Sequence, residues 1–366
     1  MSSSRRPAAG TSRRPLPAGI DALDAPLVEA LLREGGLDVE VTGMAVEPFA
    51  AGSGFLGDLA RLHLAYGDRP GPATVVAKLP PADPGGRAVG RLLGVWHREH
   101  RFYAELAPGR GLPVPDCYAA AADPEAERYV LRLEDLGART DELDQVEGAD
   151  PDRAERAIDA LADLHARWWG DAAEAIAWMP TIAAPAVGTR LQEAVAASLP
   201  AFGLRFGDLT TNRSIDALHR FVPRLADWLA LGGAGTLAVT HADYRLGNLR
   251  FGADTVYVLD WQTAMRAAPA TDLAMFTATS LTIEARRRHE GELVDRYLAR
   301  VRDQGVAVDG GRFRRDYAES FLWWAAMFAN NLSAIDTDDE RTRTLFDSMI
   351  ERTHVAIDDH EPEPFP

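Results

Sequence analysis

A single cysteine, Cys117, occurs in 366 residues. That excludes an intrachain disulfide and a cysteine-based metal cluster, and it fits a reducing compartment. No run approaches the roughly 18 apolar residues needed to span a bilayer. No apolar stretch follows the N-terminal charges as a secretion signal would, so the cytoplasm is the expected location, with no membrane partner. Basic residues are outnumbered, 39 Lys and Arg against 55 Asp and Glu, for a net charge of -16. A phosphate backbone demands a basic footprint, so nucleic acid is not an expected partner either. Acidity of this size also keeps ordinary proteins soluble, and it does not choose a substrate. Gly-x-Ser-x-Gly, His-Glu-x-x-His and P-loop patterns are missing, which removes the commonest hydrolase and P-loop signatures.

What is present fits a folded protein of two packed units with a cleft between them, because one core rarely grows to this length. Residues 1–18, with paired arginines, serines and prolines, cannot bury a core and read as a disordered tail. Residues 19–136 read as a β-rich lobe with its sheet between about 37 and 135. A helix is expected at 25–33, strands at 39–49, 59–66, 74–79, 117–121 and 128–133, and one long helix over 87–106. Residues 137–366 read as a helical lobe, with helices at 151–169, 186–198, 214–230, 283–304, 312–330 and 339–357. Short β-like runs at 237–240 and 256–259 interrupt them. No internal repeat is visible.

Three constellations carry chemistry. Gly52, Ser53, Gly54 and Gly57 fit Gly-x-Gly-x-x-Gly, whose glycines let backbone amides approach a phosphate. A strand rather than a helix follows, which suits a phosphate flap and not a dinucleotide fold, although a plain hairpin turn explains the glycines alone. Lys78 lies in the short apolar strand Val75-Val76-Ala77-Lys78-Leu79. The next helix has an apolar stripe of Leu92, Val95, Trp96, Phe102, Tyr103 and Leu106 with Glu99 in its middle. A carboxylate on a core face is costly unless paired, and Lys78 is the natural partner. Such a lysine would reach the α- and β-phosphates of a nucleotide.

The third constellation is the densest. His241-Ala242-Asp243-Tyr244-Arg245-Leu246-Gly247-Asn248 follows one apolar strand, and Asp260-Trp261-Gln262 ends another. Two carboxylates and an amide at the ends of short strands can converge on a hard cation. Taken alone, Asp-x4-Asn is as well explained by a turn that bonds its own backbone.

Together these residues resemble the aminoglycoside phosphotransferase and choline-kinase-like superfamily. Tyr244 to Phe251, Asp260 to Gln262 and Thr271-Asp272-Leu273-Ala274 are most similar to its ecdysteroid-kinase-like branch. The resemblance runs from about residue 40 to 350. It implies a two-lobed, protein-kinase-like α+β fold and an ATP-dependent transfer of the γ-phosphoryl group to a hydroxyl of a small metabolite or antibiotic. By the same resemblance Asp243 handles the acceptor's proton, Asn248 and Asp260 hold Mg2+, Glu134 and Leu136 belong to a hinge whose backbone meets adenine, and His241 supports the loop. Asp272 would be a cap or an anchor for that loop.

Two departures from the pattern matter. Ala242 replaces a glycine usual between the histidine and the aspartate, and Trp261-Gln262 stand where protein kinases have Phe-Gly. The dozen residues between Asp260 and Asp272 leave no room for an activation segment, so a protein substrate is not expected. The aromatic residues Trp168, Trp169, Trp178, Phe321, Trp323, Trp324 and Phe328 either floor an acceptor pocket or fill a core. The rival reading is a nucleotide-binding pseudokinase without turnover.

Overall fold

The computed structural model describes residues 10–11, 15–49, 57–181, 185–233, 235–333, 335 and 339–362. The chain divides into two compact units, one of residues 1–141 with 257–263, the other of 142–256 with 264–366.

The first unit is built on β1 (Gly10–Thr11), α1 (Ala25–Glu34), β2 (Val41–Pro48), β3 (Asp58–Tyr66), β4 (Thr74–Leu79), α2 (Pro84–Leu93), α3 (Val95–Arg101), β5 (Cys117–Asp123) and β6 (Arg128–Glu134). Among the described residues the strands form one sheet in the order β1-β5-β6-β4-β3-β2, antiparallel except for β1 against β5. Side chains alternate across a strand. Ala60, Leu62 and Leu64 of β3 and Val75, Ala77 and Leu79 of β4 therefore share a core with Val28, Leu31 and Leu32 of α1. The same alternation turns Lys78 to the opposite face, on the side of α3.

Asp24 caps α1 by accepting the amide of Leu27 at 2.8 Å, and a proline sits in the first turn. The helix ends against β5 so closely that a Cβ on Gly35 would lie 1.6 Å from the Tyr118 carbonyl oxygen.

Two expectations need correction here. The helix expected over 87–106 is broken at Gly94, whose φ of 63° is left-handed; α3 then runs on into a π turn at Phe102–Leu106. Glycine adopts that conformation without the cost a Cβ brings, so it ends one helix and opens the next at a new angle. The tail expected through residue 18 is also shorter. Gly10 and Thr11 pair with Ala121 and Ala122, Leu16 is buried, and its carbonyl accepts from Arg128 Nη1 at 2.7 Å. Leu16 and Pro17, both buried, and the carbonyls of Leu16 and Ala18, which accept from Arg128 and Arg87, dock this polar segment.

The second unit contains α4 (Pro151–Arg167), α5 (Asp171–Glu174), α6 (Pro185–Phe206), α7 (Asn212–Phe221), α8 (Leu225–Gly233), β7 (Ala238–Thr240), β8 (Leu249–Phe251), the start of β9 (Val256–Val258), β10 (Met265–Ala267), α9 (Ala270–Ser280), α10 (Ile283–Asp303), α11 (Gly310–Leu332) and α12 (Glu340–His360). The helix expected at 214–230 is two, because Pro223 sits in the 3-10 turn Val222–Arg224 between α7 and α8. A proline removes a helical hydrogen bond and crowds the preceding turn. Every residue of α9 is buried. α10 is clamped on α4 by two-pronged pairs, Arg296 to Asp159 at 2.7 and 2.8 Å and Arg300 to Asp163 at 2.6 and 2.7 Å. β7 and β10 pair antiparallel, with Thr240 opposite Met265. Among the described residues no helix is long and apolar enough to cross a membrane.

Gly35→Ala should force α1 off β5 and lower the unfolding free energy by about 1–3 kcal/mol, read from the denaturant midpoint. An unchanged midpoint would mean the approach of α1 to β5 is not a constraint.

Candidate functional site

In the first unit Lys78 is held by two carboxylates. Its ammonium lies 2.9 and 2.8 Å from the two oxygens of Glu99 and 2.7 Å from Asp260 Oδ1. Lys78 is 5 % exposed and Glu99 is fully buried. The strand supplies the lysine from its α3 face, and α3 supplies the glutamate from its packed side, beside Val95 and Trp96. Paired carboxylates keep the Lys78 ammonium protonated well above the usual lysine range despite its burial. Burial pushes Glu99 up from its ordinary 4.5 to about 7; Lys78 opposes that rise and the second carboxylate, Asp260, adds to it. One ammonium serving two carboxylates leaves an excess negative charge, with Lys78 and Glu99 buried and Asp260 partly exposed.

Asp260 reaches this cluster through segment 257–263, the piece of distant chain that belongs to the first unit. Its φ is 64°, a left-handed conformation that aspartate tolerates better than most residues. The next residue fixes it there. Trp261 is fully buried and stacks on Phe102 with centroids 3.8 Å apart and planes 7° apart. Its indole nitrogen donates to the Val258 carbonyl at 3.1 Å, and a backbone hydrogen bond from Trp261 reaches Glu99. Arg98 Nη1 donates to the Thr263 carbonyl at 3.2 Å. The segment carrying Asp260 is thus bound to the helix carrying Glu99.

Gly52, Ser53 and Gly54 lie outside the described residues. Gly57 is described, and a Cβ there would come within 3.2 Å of Lys78 Cε, 3.2 Å of the Leu79 carbonyl and 3.3 Å of the Tyr129 hydroxyl. The glycine lets the backbone lie directly on the lysine stem. Glu134 ends β6; its amide donates to the Asp116 carbonyl at 2.8 Å and its carboxylate pairs with Arg139. Leu136 is buried, and its carbonyl accepts from the Arg139 amide at 2.9 Å. Its own amide has no partner among the described residues.

The second unit holds the other group. Asn248 Nδ2 donates to Asp243 Oδ2 at 2.8 Å and to the Asp243 carbonyl at 2.9 Å. Both donors come from the amide nitrogen, so the Asn248 side-chain oxygen is left as an acceptor. Ala242 has φ 59°. At such a position glycine is at ease and an L-residue costs energy, so the alanine adds strain in the turn before Asp243. Asp272 offsets it. This buried carboxylate accepts the His241 amide at 2.6 Å and the Ala242 amide at 2.8 Å, and it is itself 3.2 Å from His165 Nε2. His165 Nδ1 is 2.7 Å from the Tyr297 hydroxyl. Asp272 sits in the first turn of α9, but its carboxylate anchors the loop.

Several residues of this loop's support were not singled out from the sequence. Gln145, 5 % exposed, accepts from Arg245 Nη1 at 2.9 Å and from the Gly247 amide at 3.1 Å. Ser280 accepts the Leu246 amide at 2.9 Å, and Arg352 Nη1 donates to the Gln145 carbonyl at 3.0 Å. Gln145 lies in a stretch that reads only as a polar linker, and nothing in its spacing ties it to residue 245. Arg245 Nε donates to Asp243 Oδ1 at 3.1 Å, a contact the two-residue spacing in an extended loop does allow.

Among the described residues no group of three or more His, Cys, Asp and Glu side chains gathers into a metal cage. Asn248 and Asp260 are oxygen donors of the kind Mg2+ takes one or two of, with substrate phosphates and water completing its shell. The free side-chain oxygen of Asn248 fits that use.

Two outcomes follow from this geometry. Glu99 binds its proton more tightly folded than unfolded, so its contribution to stability is complete below 4.5 and is lost as pH rises through about 7. Wild-type stability, measured by denaturant titration from pH 5 to 8, should therefore fall more steeply with pH than that of Glu99→Gln; parallel curves would refute the raised value. Asp272→Asn sets an amide against two backbone N–H groups and should cost about 1.5–3 kcal/mol for the lost charge-assisted bonds, with faster hydrogen exchange at His241 and Ala242. Unchanged exchange there would show that the loop is anchored elsewhere.

A profile of the phosphotransferase enzyme family, APH, matches residues 61–327. Among curated proteins none matches the chain. Solved structures do. An aminoglycoside-phosphotransferase-type protein from Ralstonia eutropha is 19 % identical with a TM-score of 0.58, over 92 % of this chain and 98 % of that one. Choline kinase from Cryptosporidium parvum is 11 % identical with a TM-score of 0.56, over 93 % and 99 %. The GDP complex of aminoglycoside 2'-phosphotransferase-IIIa is 14 % identical with a TM-score of 0.51, over 94 % and 100 %. At these identities the likeness is one of fold, the protein-kinase-like α+β fold. The profile match covers well over half of the sequence, and the chain belongs to the phosphotransferase enzyme family.

Proposed function

We propose that this protein is a kinase that transfers the γ-phosphoryl group of ATP to a hydroxyl of a small molecule. The observation that carries this reading is the buried Lys78, fixed between Glu99 and an Asp260 that lies 182 residues further along the chain. A structural ion pair needs one carboxylate; a second, partly exposed one brought from so far suits a site that meets a charged ligand. Lys78 contacts the donor phosphates, Glu99 holds it, and the amide of Leu136 with the backbone of Glu134 receives the adenine. Gly57, with Gly52, Ser53 and Gly54, lets the backbone lie over the phosphates. Asn248 and Asp260 hold Mg2+, which when bound neutralises phosphate charge. Asp243 orients the acceptor hydroxyl and takes its proton.

The acceptor is a small molecule and not a protein chain. Met265–Ala267 are paired with β7, and α9 begins at Ala270, so the residues after Asp260 are committed to structure and leave no peptide platform. The finer likeness to ecdysteroid kinases rests on Tyr244 to Phe251, Asp260 to Gln262 and Thr271 to Ala274 alone. A cytoplasmic location suits the ATP supply.

A screen of metabolite alcohols that follows ADP release tests the reading, with thermal shift reporting MgATP binding. The wild type should bind MgATP and release ADP faster with an accepted alcohol, and Asp243→Asn should lose roughly 10²–10⁴-fold in rate while still binding MgATP. Equal rates in the variant would remove Asp243 from the mechanism. MgATP binding with no ADP formed from any alcohol would favour the pseudokinase.

A further inference from the structure

We propose that Tyr129 is a further residue of the donor site: its hydroxyl donates to a non-bridging phosphate oxygen of the bound nucleotide, beside Gly57 and the stem of Lys78. The proposal rests on the phosphotransfer reading above, and every residue it uses belongs to the first unit.

Three strands bring the parts together. Lys78 stands opposite Leu59 on β3 and opposite Leu131 on β6. Side chains alternate along a strand, so Tyr129, two residues from Leu131, shares the face of the sheet that carries Lys78. Gly57 lies two residues before Leu59, and a Cβ there would be 3.2 Å from Lys78 Cε and 3.3 Å from the Tyr129 hydroxyl, so the lysine stem and the phenol border one point beside the backbone. Tyr129 is 2 % exposed, and its hydroxyl has no hydrogen-bond partner among the described residues. The ring itself is accounted for, stacked on Trp96 with centroids 6.2 Å apart. Phenylalanine would stack there as well and would bury no unmet donor. A hydroxyl left buried and unmet costs stability, so packing explains the ring and not the oxygen.

Charge explains what the hydroxyl is for. Lys78 is the one lysine in the chain, and two carboxylates already share its ammonium. A phosphate that comes to this lysine competes with Glu99 and Asp260 for it. A neutral donor on the same face of the sheet adds a bond to the phosphate without taking part in that competition. Burial holds the phenol well above the usual tyrosine range despite the nearby Lys78, so the hydroxyl keeps its proton and stays a donor. Bonds to an ionised acceptor are shorter and stronger than those between neutral groups, which makes a single hydroxyl matter. Gly57 completes the arrangement, because any side chain there would crowd the space between phenol and lysine stem.

The test reads affinity by calorimetry on the full chain, with MgADP and adenosine as the probes. Tyr129→Phe should bind MgADP about 10- to 100-fold more weakly than wild type, the loss expected for one hydrogen bond to a charged group. Adenosine should bind both proteins alike, and the thermal melt of the variant should stay level or rise, since an unmet donor has been removed from the fold. Gly57→Ala, which keeps the hydroxyl and sets a methyl group between it and the lysine, should weaken MgADP as well. Equal MgADP affinity in wild type and Tyr129→Phe would overturn the role of Tyr129 and leave the phosphotransfer reading standing. An equal loss with adenosine, or a lower melt, would do the same, because either marks the hydroxyl as structural. If wild type binds neither MgATP nor MgADP, the phosphotransfer reading falls and this proposal with it.

Discussion

One ammonium shared by two carboxylates is the constraint around which the first unit is arranged. Lys78 must leave the apolar face of β4 that packs on α1, so it takes the alternate position in the strand; Glu99 must face inward, so α3 must lie against that side of the sheet. Burying three charges without full compensation is expensive. The cluster persists because packing around it is complete: Trp96 stacks on Tyr129 at 6.2 Å on one side and Trp261 on Phe102 at 3.8 Å on the other. Burial is what raises Glu99 to about 7, with Asp260 adding to the rise and Lys78 opposing it.

The second unit solves a different problem, holding a strained loop still. Its device is backbone capture. The Asp272 carboxylate takes the two amides ahead of Asp243, Gln145 takes the amide of Gly247, and Ser280 takes that of Leu246. Each bond fixes the main chain rather than a side chain, so Asp243 inherits its position from residues of α9 and of the polar stretch before α4. With His165 and Tyr297 behind Asp272, the support extends to α4 and α10.

How much of this the amino-acid order discloses depends on the range of each interaction. The β4 strand was legible over its full length because its apolar run ends at a proline pair, and the Lys78–Glu99 contact because a carboxylate in an apolar stripe asks for a cation. Asp243 and Asn248 were legible as a spaced pair, whose side chains hydrogen-bond, and Asp260 as a carboxylate after an apolar strand. The break at Gly94 and the split at Pro223 were not placed, since an apolar stripe continues across both while the backbone does not. β8 and β10 were missed although β7 and β9, equally short, were not, because an arginine sits in the middle of each and breaks the apolar run. Gln145 and Arg352 were invisible for another reason: Gln145 holds the loop through polar contacts with residues a hundred or more positions away, and Arg352 holds Gln145 from further still, which leaves no pattern behind.

The stack of Trp261 on Phe102 has a mechanical meaning. Two aromatic planes 7° apart at van der Waals separation resist tilting, and they join the residue after Asp260 to the turn that prolongs α3. A swing of that helix would therefore drag Asp260 with it instead of leaving it behind. Glutamate and aspartate travel as one rigid lever, so any event that withdraws the helix strips Lys78 of both its carboxylates in a single stroke.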